Sequence, residues 1–135
     1  MNYYERAQEL NEETIANRRY FHTNAEVGLD MPKAKAYVMK KLTEYGLEPK
    51  ECGYGVTATL GHGGKCIMLR ADMDALPIKE DTGLPYASTK TATWGDQGTV
   101  PVMHACGHDM HTAMLMGAAE VIVRCKEELN GRVLL

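Results

Sequence analysis

Apolar and polar positions recur along the chain with two different periods, and the change from one to the other marks its organisation. From Tyr3 to Phe21, Tyr3, Ala7, Leu10, Thr14 and Asn17 fall roughly in line at helical spacing. That predicts one amphipathic helix, whose basic end Arg18-Arg19 suits a helix C-terminus. A second helix is predicted from Ala34, Tyr37, Val38, Leu42 and Tyr45, with Asp30 as N-cap, Pro32 in the first turn and Gly46 closing it. The period then shortens. Gly53–Leu60 is β-branched and alternating, His62-Gly63-Gly64 supplies a turn, and Lys65–Arg70 reads as another strand. The two are expected to form a β-hairpin feeding a buried strand that ends at Ala71-Asp72.

Pro77–Val102 has mostly loop chemistry, with Gly83, Pro85, Gly95 and Gly98 as breakers, and so long an irregular stretch is more often functional than incidental. The last helix carries the fullest apolar stripe, Met114, Gly117, Ala118, Val121, Ile122 and Cys125. Asn130-Gly131 ends it, and Arg132–Leu135 starts what reads as another buried strand. Helix–helix–strand–strand–helix–strand argues for an α/β or α+β fold layered on a sheet.

Composition narrows this picture. The chain has 135 residues, enough for one modest domain with a real core, and its 44% hydrophobic and 24% charged residues are those of a soluble globular protein. A net charge of -3 with scattered lysines gives no footprint for nucleic acid. No apolar run approaches the ~20 residues of a membrane span, and the acidic N-terminus does not resemble an export signal. The four cysteines form no C-x-x-C pair, so free thiols in a reducing cytoplasm are expected rather than disulfides or a zinc ribbon. Cys66 and Cys125 are expected in the core, Cys52 carries no signal, and only Cys106 has neighbours that suggest chemistry.

Two short clusters carry that chemistry. Arg70-Ala71-Asp72-Met73-Asp74 delivers two carboxylates to the C-terminal end of a strand, the edge where open α/β sheets place their sites. His104-Ala105-Cys106-Gly107-His108-Asp109-Met110-His111 sets three imidazoles, a thiol and a carboxylate just before a helix N-terminus. In an extended segment residues two apart point to the same side, so Cys106 and His108 could face one metal, with Gly107 allowing close backbone approach. Thiolate and imidazole suit Zn²⁺, with Mn²⁺, Co²⁺ and Ni²⁺ as alternatives. Asp109 could orient the His108 ring or cap the helix. Two ligands do not complete a hydrolytic site, and His104 and His111 are the spare imidazoles nearest in sequence. Plainer readings stand beside these. Met110, Met114 and Met116 suit core filler, Asp72 suits a strand-end cap, and His22 and His62 suit surface or helix-end positions. Cys106 could also serve as a low-pKa redox thiol without metal.

RADMDALPI (70–78) followed by MHACGHDMHTAMLMGAA (103–119) resembles the signature of the hippurate hydrolase and auxin-conjugate amidohydrolase branch of the aminoacylase/carboxypeptidase G metallo-amidohydrolases. RRYFHTNAEVG (18–28) resembles the Arg-Arg-x-x-His-x-x-Pro-Glu-x-Gly opening of the same branch, with Ala25 in place of proline. The resemblance runs in order over nearly the whole chain. It implies a partial layered α/β/α catalytic domain on a mixed, mainly parallel sheet, spanning 1–135 and truncated, with the lid or dimerisation domain and the C-terminal half of the catalytic domain absent. It implies hydrolysis of N-acyl amino acids to a carboxylic acid and a free amino acid, two divalent ions per complete site, and homo-oligomeric full-length relatives.

Residue by residue, Cys106 and His108 match two metal ligands. Asp72 matches a catalytic carboxylate that orients a metal-bound histidine in relatives, although Arg70 stands in that histidine's place here. Asp109, His111 and Asp74 are expected around the metal or substrate. The insert Thr93–Val100 is longer than the link expected there. Relatives of this branch continue from a strand like Gly131–Leu135 into Gln-Pro-Ala-Glu-Glu, whose first glutamate is the general base and whose second is a ligand. The 135 residues alone are therefore expected to be inactive, and the rival reading is a metal-binding remnant or a fragment that needs a complementary chain.

Overall fold

The computed structural model describes residues 2–135. The predicted first helix is two. α1 (Tyr3–Glu9) is capped by the Asn2 side chain, and α2 (Asn11–Thr23) follows after a break at Leu10. Leu10 sits at φ -90 and ψ 3, and its side chain is buried with Val121 and Cys125, so packing fixes the bend. α3 (Pro32–Glu44) starts with Pro at its first position, but its cap is not Asp30. The Glu26 carboxylate reaches across seven and eight residues to accept the Lys33 and Ala34 amides at 3.0 and 2.9 Å. Gly46 ends α3 as expected: its amide bonds the Thr43 carbonyl while Leu47 bonds Leu42, the paired hydrogen bonds of a Schellman cap.

The strand region departs further from expectation. A short hairpin, β1 (Lys50–Cys52) with β2 (Gly55–Thr57), precedes β3 (Thr59–Gly61) and β4 (Lys65–Met68). β3 and β4 do not pair with each other. β7 (Gly131–Leu134) lies between them, antiparallel to β3 and parallel to β4. The close passage needs glycine on both sides, because a Cβ on Gly61 would overlap the Gly131 carbonyl and one on Gly131 would meet the Lys65 carbonyl. β4 is exposed along its length, so Cys66 is a surface thiol rather than a core residue. Cys125 is buried as expected, and none of the four cysteines is in a disulfide.

Within 77–102 the structure adds a hairpin of β5 (Lys90–Thr93) and β6 (Thr99–Val102), joined through a 3-10 turn at Gly95–Gln97. The insert is therefore an ordered finger, not a loose loop. α4 (His108–Arg124) is the predicted long helix, but its buried positions are Asp109, Thr112, Ala113, Met116, Ala119, Glu120 and Val121. The stripe has turned by about one residue. Met114 and Met110 are half exposed, and only Met116 of the three methionines is core.

α2 and α3 pack against α4 on one side of a mixed α/β arrangement. Phe21, Met31, Ala34, Val38, Leu42, Leu47, Ala58, Leu60, Met116 and Ala119 form the main core. Tyr20 stacks on Tyr37 at 3.6 Å between ring centroids, and Phe21 meets Tyr37 edge-on at 5.4 Å, which locks α2 to α3. No helix among the described residues is long and apolar enough to cross a membrane.

Candidate metal centre

The N-terminus of α4 holds the site because Gly107 turns the chain there. Its φ of 98 and ψ of 13 are left-handed, a conformation that costs L side chains about 1–2 kcal/mol, so the Cys106-Gly107-His108 segment is a turn into the helix and not an extended strand. Cys106 lies exposed just outside the helix and His108 is its first residue. The alternation argument for this pair fails. Proximity at one helix end takes its place.

His108 is oriented by Asp74. Its Nδ1 lies 3.0 Å from both the Asp74 carbonyl and Asp74 Oδ1. Nε2 is left without a hydrogen bond and stands 3.9 Å from Asp72 Oδ2, too far for one. Asp72 is tied instead to Arg70 at 2.5 Å, while its backbone carbonyl accepts the Thr112 hydroxyl at 2.7 Å. That last bond joins the 70–74 segment to α4. The same segment is fixed to the rest of the fold where Ala75 donates to the Glu26 carbonyl and Leu76 pairs with Met103.

Asp109 meets the helix N-terminus but not the imidazole its sequence position offered. It does not touch His108. Its Oδ2 lies 2.8 Å from His22 Nδ1 and 2.8 Å from Arg18 Nε, and Oδ1 accepts the Met110 amide at 2.9 Å. His22 lies in the last turn of α2, as expected, but is not at the surface: it is 3% exposed, and its Nε2 lies 3.0 and 3.1 Å from the two oxygens of Glu80. Burial pushes the Glu80 carboxyl up, but hydrogen bonds from Thr82, His22 and the Ser88 amide outweigh it and bring its pKa down to about 2. Tyr86 covers the group, with the Arg18 and Arg19 guanidinium carbons 5.2 and 4.9 Å from its ring centre. In the sequence Arg18 and His22 stood together in RRYFHTNAEVG, one helical turn apart, while nothing pointed to Glu80.

The remaining histidines divide. His111 is exposed, with its ring centre 5.9 Å from that of His108. His104 is buried at 6% exposure, its Nδ1 is without a hydrogen-bond partner, and burial pulls its pKa down to about 4, so it is held neutral. His62 is at the surface. Asp72, Asp74 and His108 line an open cleft of about 870 Å³, together with Arg70, Tyr54 and Trp94 of the β5–β6 finger.

The donor set fits part of a metal centre. An accessible thiol and an imidazole stand at one helix end, and the imidazole's second nitrogen is fixed by a carboxylate, the usual arrangement of a ligating histidine. Among the described residues no group of three or more His, Cys, Asp or Glu side chains is arranged to hold an ion.

Comparisons with known proteins give the chain's family. The profile of peptidase family M20/M25/M40 matches residues 68–135, which contain both clusters. The chain is 39% identical over 130 residues to N-acetyl-L-cysteine deacetylase of Bacillus subtilis, covering 93% of this chain and 29% of that protein. It is 43% identical over 118 residues to hippurate hydrolase of Campylobacter jejuni, covering 84% of this chain and 28% of that one. A crystal structure from Bacillus subtilis, described as a dinuclear metal-binding peptidase of the M20 family, superposes with a TM-score of 0.83 at 32% identity, over 94% of this chain and 35% of that one. The chain thus spans about a third of the length of proteins whose fold it shares. With both the sequence match and the superposed fold passing through the Cys106/His108 turn, the chain belongs to peptidase family M20/M25/M40.

Proposed function

We propose that these residues supply one side of the divalent-metal centre of an amidohydrolase that cleaves N-acyl amino acids, hippurate-like compounds among them, to a carboxylic acid and a free amino acid. The observation that carries this reading is the state of His108: Nδ1 is committed to Asp74, and Nε2 is free in the cleft beside Asp72. Cys106 and His108 would be the ligands. A bound divalent ion, Zn²⁺, Mn²⁺, Co²⁺ or Ni²⁺ and two of them in a complete centre, would polarise an amide carbonyl and acidify water. Asp74 holds the imidazole in the tautomer that leaves Nε2 open. Asp72, anchored by Arg70 and through Thr112, places negative charge beside that nitrogen, where it would strengthen cation binding. The apolar lining of the cleft, with Trp94 and Tyr54, suits an acyl group, and Arg70 at its edge suits a carboxylate. The substrate is thus a small molecule, and neither charge nor helix hydropathy argues for nucleic acid or membrane. None of the four cysteines is in a disulfide, which suits a reducing cytoplasm.

Fewer than three ligand-type side chains converge on the site among the described residues. The 135-residue chain is accordingly proposed to bind metal but not to turn over, and further ligands and the proton-accepting glutamate would come from beyond this segment of the fold. Calorimetric zinc titration of the chain against its Cys106→Ser variant tests the ligands, since identical isotherms would remove Cys106. Metal-dependent release of glycine from hippurate by the purified 135-residue chain would overturn the inactivity. The rival redox reading of Cys106 predicts a thiol alkylated equally fast with and without zinc, whereas a ligand is protected.

A further inference from the structure

The buried cluster behind α4 is not used by the amidase chemistry. His22 sits between two carboxylates, with Asp109 Oδ2 at 2.8 Å from Nδ1 and both Glu80 oxygens at 3.0 and 3.1 Å from Nε2. A neutral imidazole has one donor and one acceptor nitrogen, and a carboxylate offers only acceptors. With both nitrogens facing carboxylate oxygens, both must donate, and the ring is an imidazolium. Arg18 supplies a second cation to Asp109, so two positive and two negative groups close the charge in a region where the His22, Asp109 and Glu80 side chains are 3%, 1% and 0% exposed. Buried charges persist only when paired in this way.

The position of the cluster gives it a consequence for the metal ligands. Asp109 is the residue after His108, in the first turn of α4. Glu80 is held in turn by the Thr82 hydroxyl at 2.6 Å and the Ser88 amide at 2.5 Å. His22 therefore ties three separate pieces of chain at one point: α2, the 77–88 segment and the start of α4. It also commits the Asp109 carboxylate, together with Arg18, to this buried cluster. Were Asp109 free, its carboxylate would be available to compete for the neighbouring imidazole, and the direction in which His108 offers Nε2 would no longer be unique.

We propose that His22 is a positioning residue for the Cys106/His108 pair: bridging Glu80 and Asp109 as an imidazolium, it fixes the first turn of α4 and so the direction of the His108 ring. The proposal rests on the reading of Cys106 and His108 as ligands. Removal of groups that orient ligands typically weakens metal affinity 10–100-fold, and His22→Gln is expected to act in that range.

Cobalt is the probe, because thiolate-to-cobalt absorption reports ligand geometry as well as occupancy. The 135-residue chain, His22→Gln and Leu47→Ala are titrated with Co²⁺ alone; Leu47 is a buried core residue at the end of α3, remote in sequence from the cluster. The expected result is that His22→Gln loses 10-fold or more in affinity with an altered charge-transfer band. Leu47→Ala, though also less stable to heat, should bind as wild type below its transition. An unchanged His22→Gln isotherm beside a normal wild-type one would sink the positioning role alone, as would an equal loss in Leu47→Ala. A wild-type isotherm identical to that of Cys106→Ser would sink the ligand assignment and the role resting on it. Should His22→Gln fail to fold, the wild-type chain with ¹⁵N-labelled histidine still decides. His22, recognised by its contacts with the Tyr86 ring 5.7 Å away, must show both ring nitrogens protonated in the folded chain. A neutral tautomer there would overturn the bridge.

Discussion

Two imidazole–carboxylate clusters flank the start of α4, built from the same residue types and opposite in every physical respect. On one side His22, Glu80, Asp109 and Arg18 are closed: both ring nitrogens are paired, and the His22, Glu80 and Asp109 side chains are almost wholly out of water. On the other side His108, Asp72, Asp74 and Cys106 are open: Nε2 is unpaired, the two carboxylates are 37% and 39% exposed, and the thiol faces solvent. The closed cluster has no coordination left to give a ligand. The open one has been left unfinished on the side of the cleft. Complete pairing holds the backbone, and incomplete pairing beside it leaves room for a metal.

The sharpest way to break this contrast is to remove one carboxylate from each side. Asp109→Ala leaves the buried His22 and the partly exposed Arg18 without their shared partner, and breaking a buried charge pair costs about 3–5 kcal/mol. Urea denaturation followed by circular dichroism should show that loss. Asp74→Ala removes a half-exposed partner and should cost no more than about 1 kcal/mol. Equal costs would mean that the two clusters are not structurally distinct. Metal binding should invert the ranking: Asp74→Ala is expected to weaken zinc affinity about 10–100-fold, read by calorimetry, because His108 loses the group that fixes its tautomer.

Acid separates the clusters by another route. Glu80 has its pKa lowered to about 2 in the fold, so the unfolded chain binds the proton more readily than the folded one. The sign follows from linkage: its stabilisation is fully present above the ordinary glutamate pKa of about 4.3 and is lost as pH falls from there towards about 2. Thermal melts of wild type and Glu80→Gln across that window should converge as the pH drops. Parallel curves would show that Glu80 is not held ionised by His22, Thr82 and Ser88.

The open cluster was the more legible of the two in the sequence, and the reason is local. Cys106 and His108 lie two residues apart in a Gly-punctuated segment rich in ligand types, and nearness along the chain needs no tertiary knowledge. The same habit misled at Asp109, whose adjacency to His108 suggested a partnership, whereas its carboxylate pairs with His22 and Arg18. Asp74, 34 residues away, has that place. His22 and Glu80 are 58 residues apart and belong to segments with no shared period, so nothing local could pair them. The sheet repeats the lesson. Each strand segment was visible, but β7 enters between β3 and β4 from 63 residues beyond β4, and the expected hairpin between those two does not form. Pairing order is set by the packing of helices on the sheet, which no window of the sequence contains.

The smallest effect tests the phase of α4, which decides the face on which each cluster sits. Met, Ala and Gly surround this helix on nearly every side, so hydrophobic spacing alone allowed a stripe through Met114, whereas packing selects Thr112, Met116 and Ala119. Met114 is 54% exposed and Met116 is 2% exposed. Met114→Gln should therefore change stability by less than about 0.5 kcal/mol, while Met116→Ala should cost about 2–5 kcal/mol through the cavity it opens. Because Asp109 lies seven residues before Met116, they share a face, and the closed cluster points inward only if Met116 does. A Met114 substitution as costly as that at Met116 would count against this phase of α4.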